Sequence, residues 1–316
     1  MDALSNVLKA VRLSGAIFFD VHASDPWVAE TPAGHQIVRR MFPAAEHLIS
    51  YHAITRGQCW VGVDNEPPML LKAGDIVVIP HGDAHVLSTA PGMRGTEDLE
   101  RYRPPGELVL PVSIAMGSGT AESAEFVCGF LGCDLRPYNP LLRALPRLFK
   151  VSDGAGGPLD AYVQIALTES KRPRIGSQSV LGRLSELMFV DVIRRYLEAL
   201  PPERLDWLAG LRDPHIGRAL AAMHHDPARE WTLESLASKA AMSRSAFAEH
   251  FMKFVGTPPM QYLTNWRMQL AANQLLSSTD GVAAIANRVG YASEAAFSRA
   301  FKKSVGAAPS EWRKSR

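Results

Sequence analysis

The sequence predicts an α+β protein: a strand-rich, barrel-like N-terminal domain with helices, followed by an all-α C-terminal domain with two helix-turn-helix units. Three observations carry this. A helix, tight turn, helix pattern is written twice in the last hundred residues, with about fifty residues between copies. Residues 35–135 break into short β-rich runs separated by Gly, Pro and Asp turns, the texture of a double-sheet or barrel-like domain. Charge divides along the same line. From Pro214 onward 13 Lys/Arg face 7 Asp/Glu, a net +6, whereas residues 1–213 carry 21 against 25, a net −4. A basic third on an acidic remainder fits one domain that meets phosphate and one that does not.

With 316 residues, 47% of them hydrophobic, the chain supports two real cores and is not disordered. Met1–Asp20 reads as a short amphipathic helix, with Leu4, Val7, Leu8 and Val11 on one face and Gly15 as its stop. It lacks the basic start and apolar core of a secretion signal, and no run of 18 apolar residues predicts a membrane span. Three cysteines, an odd number in a long chain, argue for a reducing compartment, so a cytoplasmic protein is expected. Strands are predicted over Gln36–Phe42, Leu48–Thr55, Gln58–Val63, Asp75–Pro80, Ala84–Ser88, Glu107–Ala115 and Phe126–Leu131. Residues 139–200 follow a helical pattern, with Leu181, Leu184, Met188, Val192 and Leu197 as an amphipathic stripe. Ser152–Pro158 is a Gly-rich loop, and Pro201-Pro202 opens the connection to the second domain. Asp213-Pro214 looks like the N-cap and first position of the next helix. The expected domains are therefore 1–200, a linker over 201–213, and 214–316.

The first copy of the repeat runs Leu236-Ala237, Met242-Ser243, Phe247, Phe251, Val255-Gly256, Pro259; the second runs Ile285-Ala286, Tyr291, Ser293, Phe297, Phe301, Val305-Gly306, Pro309. Thr232 caps the first helix, with Trp231 packing on Leu236 as a hydrophobic staple. Ala237 and Ala286 are small where the helices of each unit cross. Gly290 suits a left-handed turn; Ala241 stands there in the first copy and is less comfortable. Ser243 and Ser293 cap the second helices. With the phenylalanines turned inward, helical geometry turns Arg244, Ser245, Ala248 and Glu249 outward in one copy, and Glu294, Ala295, Ser298 and Arg299 in the other.

A helix presented this way enters the major groove, where base edges are distinguishable. Arg244 sits in a first turn, where the helix dipole disfavours a cation, which makes sense if it meets a phosphate or a guanine. Arg299 is the first candidate for bidentate bonding to guanine, while Lys302 and Lys303 suit phosphate. Glu249 accepts from a cytosine amino group, orients an arginine, or points to solvent. Between the copies, Pro259–Ser277 should form one helix of about 27 Å, burying Leu263, Trp266 and Leu270. Arg267 beside that stripe is expected in a structural ion pair rather than on DNA.

The stretch from Ile285 to Pro309 resembles the signature of AraC/XylS-type transcription regulators, and Met242–Phe247 is similar to the first unit of the same family. The resemblance covers residues 214–316. It implies sequence-specific binding of double-stranded promoter DNA, and most often activation through contact with RNA polymerase. Family members commonly carry a basic residue near Glu249, so this chain departs from the pattern there. Gly74-x5-Pro80-x-Gly82-x2-His85 resembles the second motif of the cupin barrels, which many of these regulators use as a sensor. The resemblance makes residues 1–213 the ligand-binding and dimerisation part. It implies a homodimer, with the helix carrying Leu181–Val192 either at the dimer contact or on its own barrel. It also implies a small-molecule or oxidant effector.

Cupin enzymes hold a metal with two histidines and a glutamate of a first motif plus the histidine of the second. Only His85 of that set is recognisable here, so no metal, cofactor or catalytic residue is expected. Effector or redox candidates are Cys59, Cys128, Cys133, His52, His81 and His85, with His52 and His81 as polar residues near a barrel mouth and, as the plain alternative, His85 as a turn residue whose ring bonds the backbone. A cysteine switch needs an accessible, low-pKa thiol; the plain alternative is that all three thiols are buried apolar residues. The competing function, a cupin metalloenzyme with an incidental helix-turn-helix part, requires a metal set that the sequence does not assemble. A third, an architectural DNA binder without a ligand, leaves the strand-rich domain without a task.

Overall fold

The computed structural model describes residues 2–103, 112–152, 157–172 and 174–314, which fold into two compact units. The sheet unit comprises Leu13–Asp134 and Leu145–Ala199. Its strands are β1 (Ser14–Ser24), β2 (Val28–Thr31), β3 (His47–Val63), β4 (Met69–Lys72), β5 (Asp75–Ile79), β6 (His85–Ser88), β7 (Val112–Gly117), β8 (Glu122–Cys133) and β9 (Phe149–Ser152). They run β2-β6-β3-β8-β1-β7 in one sheet, with β4 and β5 also on β3 and β9 on β5. The long strand β3 curls it. His47–Gly57 pair antiparallel with β8, with a register shift between Ile54 and Arg56; Gln58–Val63 then pair with β4 and β6 instead. Side chains alternate across a strand, so Phe19, Val21 and Ala23 of β1 and Ala124, Phe126, Cys128 and Phe130 of β8 share one buried core.

Several elements differ from the sequence expectation. Gln36–Phe42 is no strand: helix α2 spans Gly34–Met41, and Ile37, Val38 and Met41 are buried at i, i+1 and i+4, a helical spacing. Leu48–Thr55 and Gln58–Val63 are halves of one strand, because Gly57 at φ +70° turns the chain without ending it. Within Met1–Asp20, helix α1 stops at Ala10 and Gly15 belongs to β1. The role of that glycine is packing. A Cβ on it would lie 2.7 Å from Ser185 Cβ and 2.9 Å from the Gly182 carbonyl oxygen. Helix α5 (Ser177–Glu198) therefore lies close on β1, burying Leu181, Met188 and Val192, and Tyr51 Oη meets Ser185 Oγ at 2.6 Å. Leu184 and Leu197 are half-buried. Residues 139–200 also hold β9 beside helices α3 (Pro140–Ala144), α4 (Pro158–Lys171) and α5. Residues 107–111 of one predicted strand and 153–156 of the predicted loop lie outside the described residues.

The helical unit is Met1–Arg12, Leu135–Ala144 and Leu200–Arg316, so two short segments expected with the strands group with the helices. Its remaining helices are α6 (Trp207–Arg212), α7 (Ile216–His225), α8 (Leu233–Lys239), α9 (Arg244–Val255), α10 (Pro259–Ser277), α11 (Val282–Arg288), α12 (Glu294–Val305) and α13 (Pro309–Lys314). One buried amide bonds both segments. Gln269 of α10, fully buried, donates from Nε2 to the Ala10 carbonyl at 3.2 Å and accepts the Tyr138 N–H on Oε1 at 2.9 Å. A buried amide is costly unless its polar atoms are satisfied, so both segments are held to α10 by hydrogen bonds as well as by packing. Among the described residues no helix is long and apolar enough to cross a membrane.

Candidate functional site

Each repeat folds as a helix, a tight turn and a second helix, and the same short-range bonds close both. Thr232 and Ser235 form a capping box at the start of α8. The staple residues Trp231 and Leu236 are both buried. At the end of α8, Ala241 N–H donates to the Ser238 carbonyl and Met242 N–H to that of Ala237, both at 3.0 Å. After α11, Gly290 N–H donates to Asn287 at 3.0 Å and Tyr291 N–H to Ala286 at 2.9 Å. These paired bonds satisfy the last helical carbonyls and require one residue in the left-handed region. Ala241 takes it at φ 53° and Gly290 at φ 86°. Ser243 Oγ then accepts from Ala246 N–H, and Ser293 Oγ from Ala296 N–H. Upstream, α7 begins at Ile216 with His215, not Asp213, at its N-cap; the Asp213 carboxylate, at the end of α6, still accepts from His215 and Ile216 N–H. Burial opposes ionisation of that carboxyl, yet these bonds and His250 at 3.3 Å hold it below the usual range.

Phe247, Phe251, Phe297 and Phe301 are fully buried, which fixes the opposite face of α9 and α12. Arg244, Ser245 and Glu249 are exposed with Ala248 half-buried; Glu294, Ala295 and Arg299 are exposed with Ser298 half-buried. The two helices therefore present the same i, i+1, i+4, i+5 strip, continued in α12 by exposed Lys302 and Lys303. Among the described residues none of Arg244, Glu249, Arg299, Lys302 or Lys303 has a salt-bridge partner, so the cations remain available to an outside anion.

Helix α10 joins the copies over 19 residues, with Leu263 and Trp266 buried and Leu270 half-buried. Arg267 departs from expectation: its guanidinium bonds carbonyls, not a carboxylate. Nε donates to Pro227 at 2.7 Å and Nη2 to Arg229 at 2.8 Å, and the group lies 6.0 Å from the Tyr291 ring centroid. Burial lowers its pKa. It thus ties the loop before α8 to the turn of the second copy.

In the sheet unit, Phe19, Tyr102, Ile114, Phe126 and Phe130 line a cavity of about 90 Å³, together with His52 and Cys128. His52 is buried in the sheet rather than placed at a barrel mouth; His85 is buried as well, and its ring bonds the backbone as expected. His52 Nδ1 is 2.9 Å from Cys128 Sγ, and its Nε2 is 2.8 Å from His85 Nε2. His85 Nδ1 meets the Asp83 carbonyl at 2.9 Å. His81 Nε2 donates to the Leu145 carbonyl at 2.9 Å and does not line this cavity. All three cysteines are buried free thiols. Burial pushes the Cys59 thiol up to about 12 and raises those of Cys128 and Cys133 as well, the opposite of what a thiolate switch needs. The cupin metal does not fit either. Every ring nitrogen of His52 and His85 already has a hydrogen-bond partner, and no carboxylate converges on them among the described residues. The described ligand-type cluster His22, Glu122 and Glu125 lies elsewhere, with Arg56 bonded to both glutamates.

Residues 2–198 match the family described as Cupin, and residues 236–315 match the one described as Helix-turn-helix domain. A putative AraC-like transcription regulator of Streptomyces antibioticus is 33% identical, with 99% of each chain covered. The chain belongs to the AraC-type transcription regulators. The HTH-type transcriptional regulator AlkR of Acinetobacter baylyi is 29% identical over 99% of both chains. The RCS-specific HTH-type transcriptional activator RclR of Escherichia coli is 28% identical, covering 99% of this chain and 97% of its own. As an AraC-type regulator the chain is a DNA-binding protein of transcription control, and the metalloenzyme alternative is not favoured. For this AraC-type chain, sequence reasoning missed the Gln269 amide, the Arg267 carbonyl bonds and the His52–Cys128 contact. Each joins residues far apart in the chain, and no local pattern marks such pairs.

Proposed function

We propose that α9 and α12 enter two neighbouring major-groove stretches of one promoter, and that the sheet domain senses the signal that controls this. The observation that carries the reading is the matching exposed strip on the two helices, opposite matching pairs of buried phenylalanines. Arg299 reads guanine, Lys302 and Lys303 hold phosphate, and Arg244 meets phosphate or guanine at the start of α9. Ser245, Ala248, Glu249, Glu294, Ala295 and Ser298 complete the DNA-facing surface. Residues 214–316 carry DNA binding in this reading, 201–213 link it, and 1–200 hold the sensor. The protein acts in the cytoplasm as a homodimer and activates through RNA polymerase. A ligand shifts the regulator only through different affinity for two arrangements of the protein. The test is titration of the full chain against its own upstream intergenic DNA beside scrambled DNA, at fixed salt near about 150 mM, because non-specific affinity changes steeply with ionic strength. We expect a preference of roughly a hundredfold or more that Arg299→Ala removes. Equal affinity for both DNAs, persisting across genomic fragments, overturns the reading.

A further inference from the structure

Asp20 and His22 of β1, Glu122 and Glu125 of β8 and Arg56 of β3 meet on the face of the sheet opposite the Phe19–Phe126 core. Alternation puts Asp20 and His22 there, since Phe19, Val21 and Ala23 point inward. His22 pairs across the strands with Glu125, and Glu125 pairs with Arg56 on its other side. Glu122 lies three residues before Glu125, a spacing that faces opposite sides on a regular strand. A register shift between Ala23 and Ser24 gives β8 one extra residue there and re-aims Glu122. The ligand-type atoms of His22, Glu122 and Glu125 therefore lie within 4.8 Å of one another, with His22 Nδ1 3.8 Å from Glu122 Oε1.

Asp20 lies deeper. Its side chain is only 10% exposed, yet among the described residues no hydrogen bond reaches its carboxylate, and the cationic partner it faces is His22 Nε2 at 3.6 Å. A buried carboxylate without a donor is costly. Behind a metal-binding imidazole, however, a carboxylate takes the proton of the ring nitrogen that faces away from the ion. An ion on His22 Nδ1 would put that proton on Nε2, the atom facing Asp20. Charge points the same way, because three carboxylates here face one guanidinium and one imidazole. Arg56 Nη1 donates to Glu125 at 2.9 Å and to Glu122 at 3.4 Å, and the bond from Arg56 holds Glu125 below the usual carboxylate range. The Arg56 side chain is 63% exposed, and exposed ion pairs are worth little, so an incoming cation can displace it.

We propose that His22 Nδ1, Glu122 and Glu125 bind a divalent transition-metal ion such as zinc, with Asp20 positioning the imidazole and Arg56 competing for the carboxylates. One nitrogen and two carboxylates suit such an ion, whereas magnesium prefers oxygen alone. The test titrates metal-free full-length protein calorimetrically with zinc chloride, and in parallel with magnesium chloride. Zinc should bind saturably and magnesium should not. His22→Ala and Glu125→Gln should each abolish that binding while urea unfolding stays cooperative. Arg56→Gln should tighten it, the opposite of what losing a structural ion pair would do. Cobalt in place of zinc should give visible d–d bands without a thiolate charge-transfer band, which excludes the cysteines as ligands. Asp20→Asn should weaken zinc roughly 10–100-fold and shift the cobalt bands, a change that a purely structural role would not give. Absence of saturable zinc binding, zinc binding that survives both His22→Ala and Glu125→Gln, equally tight magnesium, or a thiolate band overturns the proposal. Unchanged cobalt bands in Asp20→Asn overturn the positioning role, and unchanged affinity in Arg56→Gln overturns the competition.

Discussion

The two helix-turn-helix copies share their caps, turn bonds and buried phenylalanines, yet they differ at the one residue that must be left-handed. Ala241 fills it in the first copy, Gly290 in the second. Backbone conformation alone disfavours alanine in both. What separates them is surroundings. A Cβ on Gly290 would lie 2.6 Å from the Ala228 carbonyl oxygen and 2.8 Å from Arg267 Nη2. The second turn is wedged against the loop that Arg267 holds. A repeat can therefore keep its local grammar and still have one copy constrained by its neighbours.

The largest effect should be the one that treats the copies alike. Phe247→Ala and Phe297→Ala each remove a fully buried ring, and each should cost about 3–5 kcal/mol in urea unfolding of the helical unit. Markedly unequal losses would break the equivalence of the two cores. Next come the reading helices. Arg299→Ala should weaken operator binding by roughly 1–3 kcal/mol in fluorescence anisotropy, with base preference relaxed at one position. Arg244→Ala should cost less, since the first-turn dipole already disfavours that cation. A larger loss at Arg244 would make the first copy the principal reader.

Acid should also separate the copies, because residues 259–314 contain no histidine whereas the first copy rests on His224. That ring is buried, accepts from Tyr262 Oη at 2.7 Å, and is pulled down to about 3 by burial. The unfolded chain takes up the proton first as pH falls below about 6.5, so the stability of this site is complete above that value and drains away toward about 3. By pH 5 the loss should be on the order of 2 kcal/mol, seen as faster hydrogen exchange in α7 and α9 than in α12. Parallel loosening of both copies would remove His224 as the cause. The smallest pair of effects concerns the turns. Gly290→Ala should destabilise by about 1–2 kcal/mol or more, and Ala241→Gly should stabilise by up to about 1 kcal/mol in thermal unfolding. Equal responses would mean that backbone strain decides both sites and packing neither.

The helical domain was largely legible because its signals are local. Ser243 and Ser293 cap helices within three residues, and phenylalanines four apart mark a buried face whatever surrounds them. The N-terminal region was read less well. Gln36–Phe42 reads as a strand because Ile37, Val38, Met41 and Phe42 satisfy a short apolar run, and so short a run does not distinguish strand from helix. Gly15 looked like a helix stop, although its real task is to let α5 approach β1 across some 170 residues of chain.

By itself the sequence determined the repeated units, the outward faces of α9 and α12 and the basic charge of the C-terminal third, because helix periodicity and capping act over a few residues. Tertiary structure alone decided the Cys128–His52–His85 contacts, the glycine requirement at 290 and the hold of Gln269 on Ala10 and Tyr138. Each depends on a buried polar atom or a missing Cβ meeting a partner distant in sequence, and only the closed fold supplies that partner.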